Sequence, residues 1–336
     1  TTMSIPALHA AAAAAALGRG SALIRSSAAS CSVAISGMKT STSCARRSTF
    51  HGIGGGGMMC TTHKRKSNGS APPPSAAAFS DVGQRRSVST LVLLRHGKSI
   101  WNGDTARFTG WADVPLTVQG RVEAVAAGQL LRSRGMAASR VCVAFASELE
   151  RSHETCELVL ASMAGHEQET WSSERIRREW RLNERHYGAV QGRLKNDPAL
   201  RDEYDEATLV EWRRSLHGKP PPMDEMHEYY QPPPAPLTES LADCQKRVVK
   251  CWEESISGAL FDEADLPLPP QDRTVLVVAH ANTLRALMAH FDDVEEEQVP
   301  NLYVPNSVPI LYHFDHTTRK PVEEKLESLL GTSHAR

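Results

Sequence analysis

The stretch Leu91-Val92-Leu93-Leu94-Arg95-His96-Gly97-Lys98-Ser99-Ile100-Trp101-Asn102 decides the fold. Four apolar residues in a row, Leu91 to Leu94, read as a short strand buried on both faces, the mark of a parallel sheet. Arg95, His96 and Gly97 stand at its C-terminal end, and ligands of open α/β sheets bind just outside the carboxyl ends of the strands. An imidazole beside an arginine, with a glycine that lets the backbone approach closely, suggests a nucleophile next to a fixed positive charge. Taken alone, Arg-His-Gly reads more readily as a simple turn. The residues downstream overturn that reading.

Two further apolar runs, Val141 to Ala146 and Thr274 to Ala279, read as strands that end at Ser147-Glu148-Leu149-Glu150-Arg151 and at His280. Helices are expected after each strand. One is N-capped by Thr117, with Val122, Val125, Ala126 and Leu130 at helical spacing and Gly135 as its stop; the others run to about Ala161 and from about Asn282 to Phe291. Strands alternating with helices predict an α/β fold: three layers, a mostly parallel sheet with helices on both faces. Three strand ends then deliver Arg95 with His96, Arg151, and His280 to one rim. A long insertion lies between the second and third strands. It holds Asn183-Glu184-Arg185-His186-Tyr187-Gly188, Lys195, Trp212-Arg213-Arg214 and a proline-rich loop, and it reads as a lid over the rim. Thr238 opens the next helix, whose stripe Leu241, Cys244, Val248, Cys251, Ser255 reads as core.

The 336-residue chain is 40% hydrophobic and 23% charged, with a net charge of −1. No run of about 18 apolar residues offers a membrane span. The charge is uneven. Residues 1 to 80 hold eight basic side chains and no acidic one, which leaves thirty basic against thirty-nine acidic in residues 81 to 336. Arginines clustered in that acidic remainder are a local arrangement, and nucleic acid is not an expected partner. The Ala-, Ser-, Gly- and Arg-rich first 85 residues look like a disordered organelle transit peptide, plastid by preference, with the mitochondrion second and the cytoplasm if the leader has no such role. A catalytic domain is expected over residues 86 to 320, with a short tail from 321 to 336. The seven cysteines form no zinc or CxxC spacing, and four of them lie in apolar patterns as free buried thiols.

Arg95-His96-Gly97, Arg151, Glu184 in Asn-Glu-Arg-His-Tyr-Gly, and Ala279-His280-Ala281-Asn282 together resemble the histidine phosphatase superfamily. Within it, Asn-Glu-Arg-x-Tyr-Gly-x-x-x-Gly, Trp-Arg-Arg and Pro-Leu-Thr-Glu-Ser-Leu (236 to 241) are similar to the cofactor-dependent phosphoglycerate mutases, over about Leu91 to Asp315. The resemblance implies that His96 takes and returns a phosphoryl group. Arg95, Arg151, Asn102 and His280 would offset charge on the transferred group, and Glu184 would be the general acid/base. It assigns the second anionic end of the substrate to Thr109, Gly110, Arg185, Tyr187, Lys195, Arg213, Arg214, Ala281 and Asn282. It implies 2,3-bisphosphoglycerate as a phosphoryl primer, no metal, a small phosphorylated substrate and a possible homodimer. His153, His186, His217, His227 and His290 show no metal spacing.

Two positions depart from the mutase pattern. Lys98 replaces the usual glutamate and is expected to add positive charge beside His96. Ala281 replaces a glycine, at a cost of about 1 kcal/mol if that backbone needs a positive φ. The loop between Arg214 and Pro236 and the tail after Asp315 are short, which would let water reach a phosphohistidine. The readings in competition are a mutase, a small-molecule phosphatase using the same histidine, and a degenerate binding protein.

Overall fold

Strand β1 (Val88–Arg95) lies between two neighbours and is buried from Leu91 to Leu94. The computed structural model describes residues 88–103, 106–164 and 173–322. The leader reading over residues 1 to 85 falls outside them, as does the tail from 323. The sheet has the order β3-β2-β4-β1-β5, with β2 (Val141–Ala146), β3 (Ile176–Arg178), β4 (Thr274–Ala279) and β5 (Ile310–Asp315). β1 through β4 run parallel and β5 pairs antiparallel with β1. The parallel strands therefore end on one rim, which carries Arg95, the segment leading to Arg151, and His280.

The helices are α1 (Val118–Ser133), α2 (Glu150–Ala164), α3 (Pro198–Glu203), α4 (Glu206–Arg214), α5 (Leu241–Cys251), α6 (Ser257–Phe261) and α7 (Ala281–Phe291). Side chains alternate across a strand, so the apolar run of β1 feeds two cores. Val92 and Leu94 pack with Leu131 of α1 and Cys156 and Val159 of α2. Leu91 and Leu93 pack on the opposite face with Val248 and Cys251 of α5 and Leu284 and Leu287 of α7. Each such leucine or valine contributes about 1.5–3 kcal/mol by leaving water, which is why the run tolerates no polar residue. In β2 a bulge between Val141 and Val143 puts Val141 on the same side as Ala144.

β3 and β5 are additions to the sequence reading. β3 has three residues, two of them exposed arginines, and offers no apolar run. β5 alternates, burying Ile310, Tyr312 and Phe314 and leaving Leu311, His313 and Asp315 partly open, as suits an edge strand. The helix expected to open at Thr238 is capped instead by Ser240, whose Oγ accepts from Asp243 N while Asp243 Oδ2 accepts from Ser240 N. Thr238 donates its hydroxyl to Pro220 O. The stripe also shifts. A π-helical turn, Trp252–Ile256, inserts one residue after Cys251, so Trp252 and Ile256 enter the core and Ser255 does not.

The insertion carries a small core of its own, Phe108, Val190, Leu200, Leu209 and Trp212, flanked by Tyr187 and Tyr204. Helices as short as α3 and α4 are marginal alone, so this cluster holds them in place. At the rim, Gly97 and Gly120 let two backbones meet: a Cβ on Gly97 would lie 2.2 Å from Gly120 O, and one on Gly120 would lie 2.1 Å from Lys98 O. That contact fixes the turn after His96 against the start of α1. Cys142, Cys156, Cys244 and Cys251 are free and buried.

Candidate active site

β1 ends by placing Arg95 and His96 at the base of a cavity of about 250 Å³. Around it stand Asn102, Thr109, Gly110 and Arg151, and from the insertion Glu184, Tyr187, Lys195 and Arg213; α7 contributes Ala281, Asn282 and Arg285. Five cations thus face one carboxylate, in a chain whose bulk charge is negative. A local field of that kind binds anions.

The imidazole of His96 is buried, and its Nδ1 lies 2.7 Å from Gly97 O. A carbonyl only accepts, so Nδ1 carries the hydrogen. Burial, then Arg151 and Arg95, hold the His96 pKa well below its ordinary value. The ring is neutral near pH 7, and Nε2 keeps its lone pair. His280 lies against it with ring centroids 4.9 Å apart and, fully buried, does not itself line the cavity. Its Nε2 is 2.7 Å from Ser147 Oγ, while Nδ1 is buried without a partner. Arg95 donates Nη1 to Val304 O, and its Nε is likewise buried and unpaired. With the Ser147 hydroxyl donating to Nε2, Nδ1 of His280 carries the hydrogen, and it and Arg95 Nε are then two unpaired donors that an oxyanion would satisfy. Arg151 is held in plane by Gly110 O and Ala112 O; burial pushes it down to about 10, so it stays charged.

Glu184 Oε1 accepts from the backbone N–H of Arg185 and of Asn282. No donor among the described residues takes Oε2, which is left for a substrate. Its carbonyl is fixed by Trp111 Nε1 and Arg247 Nη2, and Arg247 is clamped on Glu239. Trp111, buried and an aromatic packing residue by type, therefore also positions the carboxylate segment. Gly110 sits at φ +52°, where a Cβ would strike Gln191 Oε1. Tyr187 receives Nδ2 of Asn282 on its hydroxyl. Lys195 is lowered by burial and by the neighbouring Arg213.

Three expectations need correction, and one conditional cost does not arise. Arg185 does not line the cavity: its guanidinium is buried and donates to the carbonyls of Glu239, Trp212 and Gly218, bracing three segments of the lid. Arg214 is exposed and does not line it either, being about 100° around α4 from Arg213. Lys98 runs its side chain past Gly103, where a Cβ would meet Lys98 Cε at 3.4 Å, and the charges acting on His96 are Arg151 and Arg95. Ala281 begins α7 without a positive φ, so the alanine carries no backbone cost there. Arg285, Ser99 and Phe108 line the cavity without having been singled out. Arg285 was detectable as the residue three after Asn282, on the same helical face.

His186 is also buried, and burial pushes it down to about 4. With His96 and His280 it forms a set of imidazoles whose folded pKa lies below the unfolded value of about 6.5. Their stabilisation is fully present above pH 6.5 and is lost as pH falls from there toward the folded values. At pH 5.5, about one unit below the unfolded value, each withdraws on the order of 1 kcal/mol. The urea midpoint should be level from pH 8 to 7 and drop clearly by pH 5.5; a flat midpoint across that window would refute the buried neutral rings.

A family model of the histidine phosphatase superfamily (branch 1) matches residues 91–325, and the chain belongs to that superfamily. It is 38% identical over 252 residues to the 2,3-bisphosphoglycerate-dependent phosphoglycerate mutase of Thermobifida fusca, covering 71% of this chain and 94% of that one. It is 39% identical over 237 residues to the enzyme of the same name from Nocardia farcinica, covering 68% and 88%. Among solved structures, the native mycobacterial glucosyl-3-phosphoglycerate phosphatase Rv2419c matches with a TM-score of 0.50 at 24% identity, over 72% of this chain and 98% of that one. Bacillus stearothermophilus YhfR gives 0.50 at 24%, over 71% and 98%. These two likenesses are of fold. Among the described residues no cluster of three or more His, Cys, Asp or Glu is placed to hold a metal, and no helix is long and apolar enough to cross a membrane.

Proposed function

We propose that the chain interconverts 3-phosphoglycerate and 2-phosphoglycerate, passing the phosphoryl group through Nε2 of His96. The observation that carries this reading is a cavity that gathers five cations around His96 and one carboxylate, more positive charge than a single phosphoryl group needs. We assign Arg95, Arg151 and Asn102 beside His96 to the phosphoryl group, and Lys195, Arg213, Tyr187 and Asn282, the last held by Arg285, to a second anionic group. A phosphomonoester with a distal carboxylate needs both. The names of the relatives support the same reading.

Once phosphorylated, Nε2 gives its group to the free hydroxyl of the monoester as the P–N bond breaks, and then takes back the phosphoryl group from the other position as that ester P–O bond breaks. Glu184 Oε2 gives a proton to the leaving oxygen and takes one from the attacking hydroxyl. Arg95 and Arg151, with Nδ1 of His280, meet the charge on the transferred group. The orphaned Arg95 Nε and His280 Nδ1 and the five cations suit a bisphosphorylated ligand. When bound, 2,3-bisphosphoglycerate supplies the phosphoryl group that charges the imidazole. We further propose that residues 1 to 85 direct the chain to a plastid.

The test is incubation of the full chain with 3-phosphoglycerate, with and without a trace of 2,3-bisphosphoglycerate, following 2-phosphoglycerate and free phosphate. Isomerisation that depends on the primer and is indifferent to EDTA is the expected result. Free phosphate as the main product would make the chain a phosphatase instead.

A further inference from the structure

Asn282 touches three other groups that line the cavity. Its backbone N–H donates to Glu184 Oε1 at 3.2 Å, and its Nδ2 donates to the Tyr187 hydroxyl at 3.0 Å. Its Oδ1 accepts from Arg285 Nη1 at 2.7 Å. A guanidinium only donates, so Arg285 decides which way round the amide lies. The carbonyl goes to Arg285 and the NH2 group goes to Tyr187. That orientation matters because an NH2 group attracts an incoming carboxylate or phosphate, whereas a reversed amide would present it with a carbonyl oxygen.

Arg285 is itself held at two points. Nε donates to Leu302 O at 2.8 Å while Nη1 holds Asn282. Two donors on two separate acceptors fix the guanidinium plane, which a lysine ammonium on a flexible stem cannot reproduce. Arg285 sits three residues after Asn282 on α7, so both project from one face of the helix. The carbonyl of Val304, two residues past Leu302, is held by Arg95. The same segment therefore anchors both Arg95, beside His96, and the arginine that holds Asn282.

We infer that Arg285 is a positioning residue for the distal anionic group of the substrate. It locks the Asn282 amide with its NH2 group toward Tyr187 and so sets affinity for a two-ended phosphomonoester, leaving the chemistry at His96 to other groups. The inference rests on the two-ended substrate proposed above.

The test is a double-mutant cycle of Arg285→Lys and Asn282→Ala, reading kcat and KM separately with 3-phosphoglycerate. Arg285→Lys should raise KM roughly 30-fold, the loss expected when a charge-assisted hydrogen bond is removed, with kcat changed less than about threefold. In the Asn282→Ala background the same replacement should add less than about threefold, because the residue it orients is gone. Fully additive losses would overturn the inference by showing that Arg285 contacts the substrate itself. A fall in kcat at unchanged KM would overturn it by placing Arg285 on the transition state through Glu184, and an unchanged KM and kcat would show that the amide needs no lock. Product identity separates the two readings: a wild-type enzyme that releases phosphate refutes the mutase, while the cycle, read on phosphate release, still decides the role of Arg285.

Discussion

Replacing His96 with alanine should reduce turnover by a factor on the order of 10⁴ to 10⁶, the loss typical of a removed nucleophile. The size follows from the lack of a substitute. His280 is the adjacent imidazole, yet its Nε2 is engaged with Ser147 and its ring is buried behind His96. Glu184 reaches the cavity with Oε1 already accepting two N–H groups. His96 alone combines a neutral ring, a tautomer set by Gly97 O and a place at the base of the cavity. The wild-type chain should take up acid-labile phosphate from labelled 2,3-bisphosphoglycerate, and the variant should take up none. Activity above about 1% in His96→Ala, or label retained by the variant, would mean that another residue carries the phosphoryl group.

The parallel sheet was legible because burial on both faces writes itself as unbroken apolar runs, as in Leu91 to Leu94 and Val275 to Ala279. The strand ends then named Arg95, His96, Arg151 and His280 together. What escaped were features decided by contacts distant in sequence. Arg185 and Arg213 are both arginines beside lid aromatics, but whether a guanidinium faces a cavity or three carbonyls depends on how residues 212, 218 and 239 come together. Lys98 follows His96 by two positions, yet the turn fixed by Gly97 and Gly120 carries its ammonium past Gly103. Trp111 is a packing residue by type, and only the fold shows its indole N–H on Glu184 O. Local pattern named the strands buried on both faces, β1, β2 and β4, but not the edge strands β3 and β5; the orientation of long polar side chains comes from tertiary structure.

Glu184→Gln should lower kcat by about 10³ with KM changed less than about threefold, a loss within the range of general acid–base catalysis. The amide oxygen of glutamine can still accept from Arg185 N and Asn282 N, and the backbone carbonyl remains pinned by Trp111 and Arg247. Geometry and binding are therefore kept, while the group able to exchange a proton with a substrate hydroxyl is gone. Glu184→Ala is a different experiment. It leaves two N–H donors without their acceptor and loosens the start of α7 beside the distal binding group, so KM should rise along with the fall in kcat. A glutamine variant retaining more than about a tenth of wild-type kcat would remove Glu184 from proton transfer and pass that role to the Tyr187 hydroxyl, which shares Asn282 with it. Unequal behaviour of the two variants separates the acid–base role from the architectural one, because both abolish the carboxylate and only one abolishes the acceptor.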